Sequence, residues 1–192
     1  SEPLKAHKFG TRQQINDRVA ELLEQVGLPP DAANRVPSQF SGGQRQRIAV
    51  ARSLALQPSA LIADEPVSSL DVSIQAQIIN LLRDLQDRLH IALLIIAHDL
   101  ALVHQISDRI IVMYLGEPVE EAPSDDVVGK PQHPYTVALL SATPIPEAGG
   151  DRKRIVLTGD PPSPIFRPNG CRLHPRCPIA QDRCNVEKPP LK

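Results

Sequence analysis

An α/β fold with parallel strands is the prediction for this chain of 192 residues, and three observations carry it. The run Ala60-Leu61-Ile62-Ala63 is short and apolar and ends in Asp64-Glu65, the pattern of a buried parallel strand that delivers two carboxylates to its carboxyl edge. A second apolar run, Ile91 to Ile96, ends at Ala97-His98-Asp99, and that edge is where open α/β sheets bind ligands. Between the two runs, Ile74, Ile78, Leu81, Leu82, Leu85 and Leu89 fall on one face of a helix. This spacing is too short-lived for a coiled coil and reads as core packing.

Ahead of the strands, Thr11 and Gln14 form a capping box that opens a helix; Val19, Leu22, Leu23 and Val26 make its apolar stripe and Gly27 closes it. Residues 1–39 therefore read as an outlying helical subdomain. Phe40-Ser41-Gly42-Gly43-Gln44 comes next. Ser41 and Gln44 make a second capping box, starting a helix that runs to Leu56. A helix start carries about half a positive charge, and the two glycines let phosphate oxygens approach the backbone closely. By itself this pattern describes only a capped helix after a glycine turn.

The acids downstream change that reading. Adjacent residues of a strand point to opposite faces, so Asp64 and Glu65 hold different tasks: Asp64 in a magnesium shell, Glu65 placed to polarise an attacking water. Ser68-Ser69-Leu70-Asp71 is a turn that caps the next helix. His98, at the end of a strand parallel to the acid-bearing one, is placed to sense a terminal phosphate. After a short helix, Arg109 to Met113 and Pro118 to Glu120 flank Leu115-Gly116-Glu117 as a hairpin. Residues 40–120 make the catalytic half.

From residue 121 to 192 the texture changes. Many of the 20 prolines lie here, in runs such as Thr143-Pro144-Ile145-Pro146 and Pro161-Pro162-Ser163-Pro164, and a helix is expected only around Tyr135 to Ala142. All three cysteines, Cys171, Cys177 and Cys184, fall within fourteen positions. Thiolates so clustered can ligate zinc or an iron–sulfur cluster, both of which want four ligands, and His174 is a candidate for the fourth. A proline-rich linker with reduced thiols is the alternative.

Composition narrows the class. With 41% hydrophobic residues and a net charge of -1, the chain can bury a core and carries no basic excess that would point to nucleic acid. No apolar run approaches the roughly 18 residues of a membrane span, and Ser1-Glu2-Pro3 is not read as a signal peptide. Few cysteines and aromatics fit a cytosolic chain.

Together these motifs resemble the ATP-binding subunits of ABC transporters. Ser41-Gly42-Gly43-Gln44 matches the signature, the Asp64-Glu65 strand resembles a Walker B motif, Ser68 to Asp71 resembles the D-loop, and His98 stands in the switch-histidine position. Phe40 replaces the usual leucine of the signature. The stretch Asp64 to Gln77 and the segment His133-Pro134-Tyr135-Thr136 are similar to the oligopeptide and dipeptide importer ATPases. The resemblance implies an incomplete P-loop NTPase domain with parallel strands, a helical subdomain and a proline-rich carboxyl extension.

It also implies ATP and Mg2+ as cofactors, with Ser41, Gly42, Gly43 and Gln44 meeting the ATP held by a second ATPase subunit. Glu65 and His98 are then catalytic, and Asp71 communicates across the dimer. Transmembrane permease subunits would be partners, with a substrate-binding protein served indirectly, at the cytoplasmic face of the membrane. In the related carboxyl extension, Cys171, Cys177 and Cys184 imply an iron–sulfur cluster. A G-x-x-x-x-G-K-[ST] loop, an adenine-stacking aromatic and a glutamine loop are not found; before Gly129-Lys130 stands Ser124 in place of the first glycine, and Pro131 comes after. The chain is thus expected to be the carboxyl-terminal part of a longer protein and inactive alone. The alternatives are a non-transport ABC ATPase and an inactive regulatory or structural module.

Overall fold

The computed structural model describes residues 1–68, 70–142 and 154–191. Ser69 of the expected D-loop turn and the run Thr143-Pro144-Ile145-Pro146 lie outside the described residues. The chain divides into two compact units, Ser1–His98 and Asp99–Lys192.

The first unit opens with α1 (Glu2–Ala6) and α2 (Arg12–Gln25). The predicted capping box is present: the Thr11 hydroxyl accepts from Gln14 N and the Gln14 side chain accepts from Thr11 N at 2.8 Å. Leu22, Leu23 and Val26 are buried, Val19 is half-buried, and Gly27 at φ 71 turns the chain away. Helix α3 (Gly42–Ser53) ends three residues short of Leu56, with Leu54 as its C-cap. Strand β1 (Ala60–Asp64), helix α4 (Val72–Leu89) and strand β2 (Ala92–Ile96) complete the unit.

The two strands pair in parallel, Ala60 opposite Ala92 through Asp64 opposite Ile96. Their continuous apolar sequence predicts burial on both faces, and here the structure differs. Side chains alternate across a strand, and while Leu61 is buried, Ile62, Leu94 and Ile96 are 67%, 55% and 49% exposed. Among the described residues only one face of this two-stranded sheet is covered.

Two arginines join α2 to α3 reciprocally. Arg18 of α2 donates to Leu54 O, at the carboxyl end of α3, at 3.4 Å; Arg47 of α3 donates to Val26 O, at the carboxyl end of α2, at 2.7 Å. Each cation thus meets the negative end of the other helix, where Leu54 O also accepts from Gln57 N at 3.1 Å.

The second unit begins with Asp99, whose Oδ1 accepts from Ala101 N and Leu102 N and so caps α5 (Leu100–Ile106). Strands β3 (Arg109–Tyr114) and β4 (Glu117–Pro123) form an antiparallel hairpin with a register shift between Val112 and Met113. Tyr114 pairs with Glu117, leaving Leu115 (φ 49) and Gly116 (φ 75) as a two-residue turn. Positive φ at both positions suits the twist of a hairpin, and glycine takes it without strain whereas leucine does not.

Helix α6 (Ser124–Gly129) is an element the sequence does not predict; α7 (Pro134–Ala142) is one it does. Leu100, Ile110, Val112, Val127 and Leu140 form the core of this unit. Buried Glu120 accepts from the backbone N–H groups of Gln132 at 2.7 Å and His133 at 3.0 Å, and His133 Nδ1 accepts from Tyr135 N at 3.2 Å. The Tyr135 ring packs against Tyr114, centroids 4.7 Å apart. Those contacts place the His133-Pro134-Tyr135-Thr136 segment at the start of α7.

Candidate functional site

The strongest pairing of predicted site residues is at the carboxyl edge of the parallel strands. His98 Nδ1 lies 3.0 Å from each carboxylate oxygen of Glu65. An ionised carboxylate only accepts, so in this contact the imidazole proton sits on Nδ1. Both side chains are open to solvent. A ligand can therefore reach them.

The backbone of Glu65 explains how the carboxylate is aimed. Its N–H still bonds to Ile96 O at 2.8 Å, prolonging the parallel ladder by one residue, while its φ of 48 bends the chain out of the strand. A left-handed non-glycine residue costs on the order of 1–3 kcal/mol. The next three residues hold the bend: Ser68 N and Ser68 Oγ both donate to Glu65 O, and Pro66 and Val67 are buried. Asp64, one residue earlier, ends β1 in ordinary strand geometry with its side chain exposed. The two acids thus differ in backbone geometry, Asp64 within the strand and Glu65 past the bend.

At Ser41 the structure has the predicted box, with Gln44 N donating to Ser41 Oγ at 3.3 Å and Ser41 N to Gln44 Oε1 at 3.0 Å. The glycines have a second reason to be small. A Cβ on Gly43 would stand 2.7 Å from Ile74 Cγ2, and one on Gly42 would stand 3.3 Å from Leu70 Cδ2. The signature turn is thus packed against the turn and first residues of α4. Asp71 occupies the N-cap position of α4, yet its side chain makes no capping bond, contrary to the expected cap. Support comes instead from Gln75, whose Nε2 donates to Val67 O at 3.2 Å and Leu70 O at 3.0 Å. Sequence reasoning does not single out Leu70, Ile74 or Gln75 as site residues. Their signal is that they fall in the stretch Asp64 to Gln77 that carries the resemblance.

The iron–sulfur expectation for Cys171, Cys177 and Cys184 finds no support. Among the described residues no group of three or more His, Cys, Asp or Glu side chains is placed to hold a metal ion, and all three thiols are free. Cys184 Sγ accepts from Gln181 N at 3.4 Å, and His174 Nδ1 is engaged with Cys171 O at 2.8 Å. Burial pushes the Cys177 thiol up from its ordinary pKa against a backbone hydrogen bond from Ile179, and its neighbours Cys171 and Cys184 push the same way as burial.

Parallel strands ending in an acid pair and a histidine, beside a serine-capped glycine turn, define an ATP-binding cassette. The fold agrees: a solved ATP-binding cassette of an ABC transporter in its ADP conformation superposes with a TM-score of 0.60 at 23% identity, over 73% of this chain and 56% of that one. Residues 2–68 match the ABC transporter family model, and residues 119–184 match the oligopeptide/dipeptide transporter C-terminal region. In these two stretches the chain is similar to ATP-binding subunits of ABC transporters of the oligopeptide/dipeptide type.

It is 50% identical over 193 residues to the oligopeptide transport ATP-binding protein AppF of Bacillus subtilis, covering all of this chain and 59% of that protein. It is 47% identical over 192 residues to the di/tripeptide transport ATP-binding protein DppF of Pseudomonas aeruginosa, with the same coverage. The chain spans between 54% and 60% of the length of the curated relatives it matches. No helix among the described residues is long and apolar enough to cross a membrane.

Proposed function

We propose that the protein to which this chain belongs binds and hydrolyses ATP to energise the import of oligopeptides or dipeptides through an ABC transporter. The observation that supports it most is the 3.0 Å contact of His98 with the Glu65 carboxylate at the edge of two parallel strands. Glu65 is the general base that polarises the attacking water, and His98 orients it. Asp64 supplies the oxygen donor that Mg2+ favours; its exposed carboxylate at the sheet edge fits a hard cation. When bound, that ion neutralises phosphate charge.

Ser41, Gly42, Gly43 and Gln44 present a helix start to the γ-phosphate of ATP held by a second ATPase subunit, and Asp71 faces that partner. Two such subunits close around ATP and pull on transmembrane permeases, so the protein works at the cytoplasmic face of the membrane and serves a substrate-binding protein indirectly. Peptide as cargo rests on the names of the relatives and on the match over residues 119–184. The test is uptake of a labelled dipeptide by cells expressing the whole reading frame together with transmembrane permease subunits, wild type against Glu65→Gln. Uptake that survives the substitution, or that is absent from the wild type, removes this reading.

A further inference from the structure

Residues 3–16 contain no Asp or Glu and hold Lys5, His7, Lys8 and Arg12, in a chain whose net charge is -1. Positive charge is thus concentrated where α1 meets α2. All four side chains are exposed, and among the described residues none of the three permanent cations, Lys5, Lys8 and Arg12, is in an ion pair. Beside them stands Phe9, a large apolar ring left 43% exposed.

The junction is held in shape. Helix α1 ends in a two-bond turn, with Lys8 N donating to Lys5 O at 3.1 Å and Phe9 N to Leu4 O at 2.9 Å, the pattern that closes a helix through a left-handed residue. That residue is Lys8, at φ 51, where glycine is usual and a lysine is strained. Leu4 is buried and fastens α1. On the other side a Cβ on Gly10 would collide with Gln14 Oε1, the atom that accepts from Thr11 N in the capping box of α2. Lys5 to Arg12 is therefore a preformed turn, and a partner that meets it has little ordering left to drive.

We propose that this turn binds an anionic phospholipid surface, with Lys5, Lys8 and Arg12 meeting the headgroups and Phe9 entering the interface. Cations close to such a surface each add to binding, and an aromatic or aliphatic side chain among them supplies the apolar anchor. Charge alone suits any acidic partner; the ring among the charges selects one with an apolar layer beneath its anions. This rests on the membrane-face reading given above, yet it needs neither ATP nor a permease, so its failure leaves that reading standing and the uptake result with Glu65→Gln does not bear on it.

Cosedimentation of the protein from its whole reading frame with lipid vesicles tests it. Vesicles of equal parts phosphatidylglycerol and phosphatidylcholine should carry the protein down, and pure phosphatidylcholine should not. Lys8→Gly removes a charge and suits the left-handed turn, so it should lower binding about fivefold, the worth of one cation near an anionic surface, without lowering the thermal midpoint. Lys5→Gln and Arg12→Gln should each give a similar fall, and Phe9→Ala should weaken binding too. Arg35→Gln changes the net charge equally but removes a cation already paired with Asp31, and it should leave binding unchanged. Equal binding to neutral vesicles, wild-type binding by Lys8→Gly, or an equal fall in Arg35→Gln overturns the proposal. Tighter binding to soluble polyglutamate than to the anionic vesicles, with Phe9→Ala without effect, assigns the turn to an acidic protein and overturns it as well.

Discussion

Gly43 faces Ile74 so closely that an added methyl group would stand 2.7 Å from Ile74 Cγ2. In an isolated helix, replacing glycine by alanine stabilises by up to about 1 kcal/mol. Here overpacking, at about 1–3 kcal/mol, outweighs that gain. Gly43→Ala is therefore expected to lower the thermal midpoint, and Ile74→Ala in the same chain to restore part of the loss. A Gly43→Ala protein as stable as the wild type would show that the signature turn does not bear on α4.

Glu65→Gln should reduce ATP turnover by roughly 100-fold to 10,000-fold, the usual worth of a general base, with nucleotide affinity retained. The assay is phosphate release by the protein from its whole reading frame. His98→Ala should fall in the same direction, because the carboxylate loses the group that lies 3.0 Å from both of its oxygens. Full turnover in either variant takes that residue out of the mechanism.

How much of the fold and the site is legible in the sequence depends on what each feature needs. The Glu65–His98 meeting is readable, because two apolar runs that each end in polar residues can deliver them to one edge if the strands are parallel. The capping boxes at Thr11 and Ser41 are readable because they are local. The Gly43–Ile74 contact is not, since spacing does not say which helix a glycine will face. Helix α6 escapes because Ser124 to Gly129 is shorter than two turns and lies in a stretch that contains Pro123 and Pro131. The missing Asp71 cap is not readable either; the Gln75 amide, from inside the helix, ties Val67 and Leu70 and braces the turn without it.

Burial holds His133 below its ordinary pKa, although Glu120 opposes the shift. A depressed histidine favours the neutral form in the folded state, so its stabilisation is present above the unfolded value of about 6.5 and is lost as pH falls through the folded value. Protonation would also end the acceptance of Tyr135 N–H by Nδ1. The melting temperature should thus decline between about pH 7 and about pH 5, the range around that unfolded value, and His133→Gln should flatten that slope. An unchanged slope in the variant assigns the decline elsewhere.

Glu120 is buried and accepts two backbone N–H groups. Glu120→Ala leaves both donors without a partner, at about 1–3 kcal/mol each. Hydrogen exchange should quicken at Gln132 and His133 and along α7, while α2 and α3 keep their protection. Uniform loss of protection would mean that the variant has unfolded instead of undocking α7.

The reciprocal arginines have a mechanical consequence. With Arg18 seated on the end of α3 and Arg47 seated on the end of α2, neither helix can slide or roll without breaking a bond at the other's terminus. Shifting α3 along its axis would therefore strain a contact at the carboxyl end of α2 as well as one at its own.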